Sequence, residues 1–436
     1  MPLLAIALTA LAPQPARHGI EAYELVGRRE DGLAERIVVR KGRWDETVSA
    51  GPGVVQRLVV TPGRVVRYGP FGDVNVADRG TVDAYRWRIA VLTGTLPPPS
   101  ASETMRGPRG TPVTYEHYHR PNGATVEVTR ERGAITEASL DPSFAIRDFG
   151  HDRDGVVTSW KTAAGDGFRG VRSAAAAADP EPPITELEDG DPTVASLDGM
   201  PIHVFIDTGF TGFAVSEELA ERGTPSPAQV PVLGLAGAEL TGLVRFGTFS
   251  QLGVTRIGQV ALVAPALPEG YDAIEGIGMF PGRALHLTAD HGPRVDRRGC
   301  ARGARFSGWL GVANAIVEIS GGPLPFDGWG VFDSGELSGR PVQIAYPPLV
   351  AAAAKREHLA NETYYGVGGR ANARCTTHPV KFKIEGLGTM SHPICYVADP
   401  LVRSFGIHYT VAFNPVELLG GPVTIDLNRQ LICRDR

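Results

Sequence analysis

Cysteine is scarce in this chain of 436 residues: there are four, Cys300, Cys375, Cys395 and Cys433, all in the last third. No two stand in a Cys-x-x-Cys spacing, so neither a zinc ribbon nor a thioredoxin-type redox pair is offered. Aromatic residues make up 7% and charged residues 21%, while Gly (54) and Pro (35) are used above average, which favours short strands and turns over long helices. The composition therefore reads as mainly β. A net charge of −5, with the arginines scattered, supplies no field for nucleic acid or an acidic membrane surface. Also missing are a Gly-x-Ser-x-Gly elbow, a His-Glu-x-x-His pair, a Gly-x-x-x-x-Gly-Lys loop and a Gly-x-Gly-x-x-Gly turn, which removes the chemistries those motifs carry.

Long apolar runs are absent after the first residues. The opening MPLLAIALTALAPQPA is too short to span a bilayer comfortably and becomes rich in small residues toward its end, so residues 1–16 are expected to be an export signal. No Lys or Arg precedes the apolar run, which leaves an N-terminal strand or a misassigned start as the other reading. No integral membrane segment is expected downstream, and the mature protein is expected to be exported, soluble and monomeric. In an oxidising compartment the even number of cysteines implies two disulfides, with three connectivities open. Cys375 with Cys395, leaving Cys300 with Cys433, is the preferred pairing; four buried thiols are the alternative.

From about residue 20 to 172 the chain repeats short alternating runs, such as Arg36-Ile37-Val38-Val39-Arg40, Arg57-Leu58-Val59-Val60 and Thr125-Val126-Glu127-Val128-Thr129, between Gly, Pro and Asn. Alternation at period two predicts half-buried antiparallel strands. The stretch Pro97-Pro98-Pro99-Ser100-Ala101-Ser102 is expected to be a mobile loop. His117 and His119 fall on one face of a predicted strand, where two imidazoles can chelate a metal, but no third ligand has a recognisable spacing, so two solvent-facing histidines and no metal are expected. The Ala/Pro run Ala174 through Pro183 marks a boundary.

Beyond that boundary Ile202-His203-Val204-Phe205-Ile206 leads into Asp207-Thr208-Gly209, and Trp329-Gly330-Val331-Phe332 leads into Asp333-Ser334-Gly335. A tight loop after a buried strand needs Gly for its turn, and a Thr or Ser hydroxyl can hydrogen-bond across to a partner loop. After the first motif come a helix start at Ser216-Glu217-Glu218-Leu219-Ala220-Glu221, the segment Tyr271-Asp272-Ala273-Ile274-Glu275-Gly276-Ile277-Gly278-Met279-Phe280, and a strand from Ala284 to Asp290. After the second come a candidate helix from Pro348 to Lys355, the run Tyr409 to Pro415 with Leu418-Leu419-Gly420 as its alternative, and a strand and turn from Pro422 to Ile432.

These ordered segments resemble the retropepsin and pepsin families of aspartic proteases, and the region before them is similar to the curved-sheet domains, reminiscent of lipoprotein carriers, that precede aspartyl-protease domains in some bacterial exported proteins. The resemblance implies an N-terminal curved antiparallel sheet (residues 17–172), a linker (173–183) and two acid-protease β-barrel lobes (184–297 and 298–436). It further implies an aspartic endopeptidase acting on a peptide or protein substrate without a cofactor, with Asp207 and Asp333 catalytic and Thr208, Gly209, Ser334 and Gly335 supporting them. The spacing of the two aspartates suits small, retropepsin-sized lobes. Where the family carries a small residue after each Asp-Thr/Ser-Gly, this chain has Phe210 and Glu336, and the candidate flap hairpin, Leu235 to Phe249, has no tyrosine. Those departures leave open a peptide-binding module that keeps the cleft without hydrolysis. A third arrangement has only the first lobe as a true unit, dimerising to supply Asp207 twice.

Overall fold

Period-two alternation becomes strand almost throughout the computed structural model, which describes residues 22–435 apart from 51–54, 108–109, 120–124, 140–144, 163–166, 176–178, 235–236, 265–266, 290–291, 310, 337, 367–368 and 400–408. The proposed export signal lies outside the described residues. Among the described residues the strands form four sheets. Among the described residues no helix is long and apolar enough to cross a membrane.

The N-terminal sheet is a 13-stranded antiparallel meander whose first strand, Tyr23–Arg29, sits between Ala34–Arg40 and the last strand, Phe168–Ala174. One face carries the apolar residues of the alternation, among them Leu25, Ile37, Trp44, Val126 and Trp160. A helix that the strand rhythm does not announce, Arg79–Thr93, lies within the same apolar cluster through Val91 and Leu92. Its ends follow the ordinary rules: Asp78 caps the start by accepting from Thr81 N, and Gly94, at φ 66°, ends it in the left-handed conformation. The Pro-rich stretch is only partly loop, since Ala101 and Ser102 open the edge strand Ala101–Arg106 by pairing with His117 and Glu116. The connection to the next unit is strapped back onto the sheet by Arg57 and Arg36 to Asp179, and by Arg64 and the Tyr68 hydroxyl to Glu181.

The remaining chain contains the same nine-stranded arrangement twice. In the first, the order is Thr224–Gly234, Gly237–Arg245, Val260–Ala264, Phe213–Ser216, Ala273–Glu275, Met200–Ile206, Val194–Leu197, Thr248–Gln251 and Val254–Ile257. In the second it is Ala360–Gly366, Gly369–Cys375, Cys395–Ala398, Val342–Ala345, Tyr409–Phe413, Phe326–Phe332, Ala313–Ser320, Val380–Ile384 and Gly388–His392. Each parallel and antiparallel pairing recurs in the matching place: Met200–Ile206 runs parallel to Ala273–Glu275, as Phe326–Phe332 does to Tyr409–Phe413. Among the described residues neither set closes into the expected barrel, because each order ends on two strands that do not pair with each other.

The register of the first aspartate strand follows from its hairpin. Asp198 (φ 51°) and Gly199 (φ 79°) make a two-residue turn that pairs Leu197 with Met200, so Ile202, Val204 and Ile206 all face the core. The helix starts also fall as expected, at Glu217–Ala220 with Ser216 as N-cap and at Pro347–Arg356. The segments read as closing strands of separate lobes behave differently. Ala284–Leu287 pairs with Val423–Asp426, in a five-stranded sheet that both halves share. A single apolar core, including Phe213, Phe249, Phe332, Phe382 and Phe413, runs through both halves.

Candidate active site

Both aspartates stand at the end of a strand whose parallel neighbour receives their backbone amides: Asp207 N donates to Glu275 O and Asp333 N to Phe413 O, each at 2.9 Å. Of the two segments considered for the second half, Tyr409–Phe413 is thus the one beside the aspartate, while Leu418 and Leu419 belong to the helix Pro415–Leu419. Each loop turns back on its own carboxylate, with Gly209 N donating to Asp207 Oδ1 at 2.8 Å and Gly335 N to Asp333 Oδ1 at 2.9 Å.

The two loops are tied to each other by four reciprocal hydrogen bonds. Thr208 Oγ1 donates to Phe332 O at 2.5 Å and accepts from Ser334 N at 3.0 Å. Ser334 Oγ donates to Ile206 O at 2.8 Å and accepts from Thr208 N at 3.0 Å. A hydroxyl is the one small group able to donate and accept at once, which is why Thr and Ser both serve here. The glycines are required by closeness as well: a Cβ on Gly209 would lie 2.6 Å from Asp333 Oδ1, and one on Gly335 would lie 2.9 Å from Asp207 Oδ1. The structure therefore brings Asp207, Thr208, Gly209, Asp333, Ser334 and Gly335 together.

The carboxyl group of Asp333 lies against Gly209 and that of Asp207 against Gly335, and the two carboxyl groups interact directly. Burial raises the pKa of Asp207, and burial followed by the charge of Asp207 raises that of Asp333 well above the usual carboxylate range. Two such groups share one proton and titrate as a unit. Such a pair can hold a water between a carboxylate and a carboxylic acid.

The two departing residues turn inward. Phe210 is half-buried against the apolar core. Glu336 is 4% exposed; its Oε1 accepts from Ser338 N at 2.9 Å, its Oε2 has no partner among the described residues, and burial raises its pKa. A further buried acid, Glu275, carries no motif of its own. Burial pushes it up to about 7, against the pull of Arg256, and one of its oxygens accepts from Gln251 Nε2. The signal was visible in principle, as a glutamate inside the otherwise apolar run Ala273-Ile274-Glu275, whose counterpart in the second half is Phe413.

The hairpin expected at Leu235 to Phe249 is longer and begins earlier, pairing Thr224–Gly234 with Gly237–Arg245; Leu235 itself lies outside the described residues. The second half has a matching hairpin, Ala360–Gly366 with Gly369–Cys375, which carries Tyr364 as a buried residue. The disulfide Cys375–Cys395 joins that hairpin to the neighbouring strand, and Cys300–Cys433 lies beside the shared sheet. Both bonds follow the preferred pairing and fit an oxidising compartment. Glu362 stands near Cys375 and Cys395, but these two sulfurs are already bonded to each other and offer no thiolate to a metal. Among the described residues, His117 faces Glu127 at 3.5 Å and belongs to no group of three metal-ligating side chains. No protein-family model matches the chain, and no curated protein matches it significantly.

Proposed function

We propose that this chain is an aspartic endopeptidase whose cleft lies between the two nine-stranded halves, with Asp207 and Asp333 as its catalytic pair. The observation that carries the reading is the reciprocal hydrogen bonding of Thr208 and Ser334, which sets two half-buried carboxyl groups side by side, an arrangement that favours one shared proton. In that state the carboxylate takes a proton from the bound water as its oxygen attacks the peptide carbonyl, and the carboxylic acid donates its proton to the carbonyl oxygen. Collapse of the tetrahedral intermediate breaks the C–N bond, the amine leaves with a proton, and the pair returns to its singly protonated form. The sequence of steps calls for neither metal nor cofactor. The substrate is an extended peptide segment of a protein, and the enzyme works as an exported monomer.

A second reading, a peptide-binding module without hydrolysis, is favoured by Glu336, whose unpartnered buried oxygen adds potential negative charge beside Asp333. Incubation of the purified chain with denatured casein from acid to neutral pH, beside Asp207→Asn and Asp333→Asn, separates the two. Pepstatin-sensitive cleavage lost in both variants supports the peptidase. Absence of cleavage by the parent chain at every pH leaves the binding module. Cleavage that survives in Asp333→Asn points instead to a dimer using Asp207 twice.

A further inference from the structure

Phe71 belongs to the N-terminal sheet by sequence and to the other half of the molecule by packing. It lies in the turn between the strands Arg64–Tyr68 and Val74–Val76, yet its side chain is 9% exposed and buried in the core of the two nine-stranded halves rather than in that of its own sheet. Its carbonyl accepts from the buried Gln259 Nε2 at 2.7 Å. Its ring covers Gly212, which stands at φ 93° and where any Cβ would overlap the ring. The rest of the turn follows: Gly72 packs against Arg256, and Asn75 and Asp73 lie so close to Gly278 that a Cβ there would be 2.8 Å from Asn75 Oδ1. Gln430 Nε2 reaches back to Val76 O at 2.9 Å, and Ser307 Oγ to Asp78 at 2.7 Å.

The internal duplication shows what this turn substitutes for. In the second half the loop after Asp333 is held from within: Ser338 N donates to Glu336 Oε1 at 2.9 Å, and Asn414 Nδ2 donates to Glu336 O at 3.1 Å. The matching positions of the first half, by the alignment of Asp207 with Asp333 and of Glu275 with Phe413, are Gly212, Phe210 and Gly276. No side chain at these three positions can make those bonds; the first loop keeps a backbone bond from Gly276 N to Gly212 O at 2.9 Å, and a left-handed glycine adds freedom to it. Phe71 fills the place over that glycine. The contacts fall on the trailing ends of the Asp207 loop and of the neighbouring strand, at Gly212 and Gly278, rather than on the carboxyl groups, so the turn supports the loop.

We propose that Phe71 is a positioning residue and that the N-terminal sheet, through this turn, braces the Asp207 loop in the geometry that pairs it with Asp333. The consequence for activity rests on the peptidase reading; the consequence for loop order does not. The test uses the full chain with Phe71→Ala and the milder Phe71→Leu, read by hydrogen exchange of the segments containing Asp207 and Asp333 and by cleavage of casein peptides. Phe71→Ala is expected to speed exchange around residues 206–214 by about tenfold or more while leaving 332–338 unchanged, because local opening follows the loss of local packing. The turnover number is expected to fall by about tenfold at nearly constant KM, with partial recovery in Phe71→Leu, since misplacing a reacting group acts on the chemical step. Unchanged exchange at 206–214 overturns the proposal, as does an equal loss of protection in both loops. If Phe71→Ala fails to fold, the same criteria apply to Phe71→Leu. If the parent chain cleaves nothing, the peptidase reading fails while exchange alone still decides the bracing.

Discussion

Thr208 and Ser334 exchange roles across the two aspartate loops: each backbone amide donates to the other's hydroxyl, and each hydroxyl donates to the carbonyl that precedes the opposite aspartate. Thr208 is fully buried, so whatever replaces it inherits two groups in need of partners, Ser334 N and Phe332 O. Thr208→Val keeps the shape and removes the hydroxyl, leaving Ser334 N and Phe332 O unsatisfied. A loss of about 2–4 kcal/mol is expected from two stranded groups, measurable by chemical denaturation, while Thr208→Ser should stay near the parent. Equal stability of the Val and Ser variants would show that the bonds contribute nothing.

The acid pair is expected to weaken the fold at neutral pH. Its carboxyls have folded-state pKa values above their unfolded ones, so the native state binds protons more readily and is most stable below the unfolded value near 3.8. Stability then falls as pH rises toward the folded values and stays reduced above them. Asp333→Asn, which cannot ionise, should therefore unfold at a higher temperature than the parent at pH 7 and lose that advantage near pH 3. A parent chain whose Tm relative to the variant does not change with pH contradicts the assignment.

Glu275 makes the same argument for a single group. Its pKa moves from 4.5 to about 7 on folding, which corresponds to about 3 kcal/mol at most between the two protonation states. That cost is absent below pH 4.5, grows as pH rises through the window, and is complete above pH 7. Glu275→Gln keeps the hydrogen bond to Gln251 with a neutral group. It should be more stable than the parent at pH 8 and similar at pH 4.5, as read by urea titrations at the two pH values.

Local signals in the sequence located the aspartate strands well because strand, tight turn and glycine are all specified within a few residues, as in Ile202 to Gly209. The Ser216 cap and the Pro348 helix were legible for the same reason. What escaped was non-local. Ala284–Leu287 and Val423–Asp426 each have an ordinary strand pattern, and nothing in either says that the other is its partner. The helix Arg79–Thr93 begins Arg-Gly-Thr-Val, with a glycine and two β-branched residues that lower helix propensity, and its burial rests on a few residues such as Val91 and Leu92. Phe71 stands in a turn of one sheet, and only packing reveals that it belongs to the core of another.

The disulfides give the last prediction. Cys375 and Cys395 face each other directly on adjacent antiparallel strands and close a separation of 20 residues, whereas Cys300 and Cys433 close one of 133. By the entropy of the unfolded chain, the shorter bridge contributes about 3 kcal/mol and the longer about 5 kcal/mol, before any difference in native packing. All four sulfurs being bonded, thiol titration of the denatured but unreduced protein should find no reactive group. Cys300→Ala with Cys433→Ala should therefore lower stability more than Cys375→Ala with Cys395→Ala, and reductant should lower the Tm of each double variant further by breaking the bridge that remains. Because the shorter bridge joins the second hairpin to its neighbouring strand, its removal should also loosen that hairpin, and faster proteolysis within residues 360–375 is the expected sign. Four titratable thiols in the unreduced chain, or equal stability of the two double variants, would count against this account.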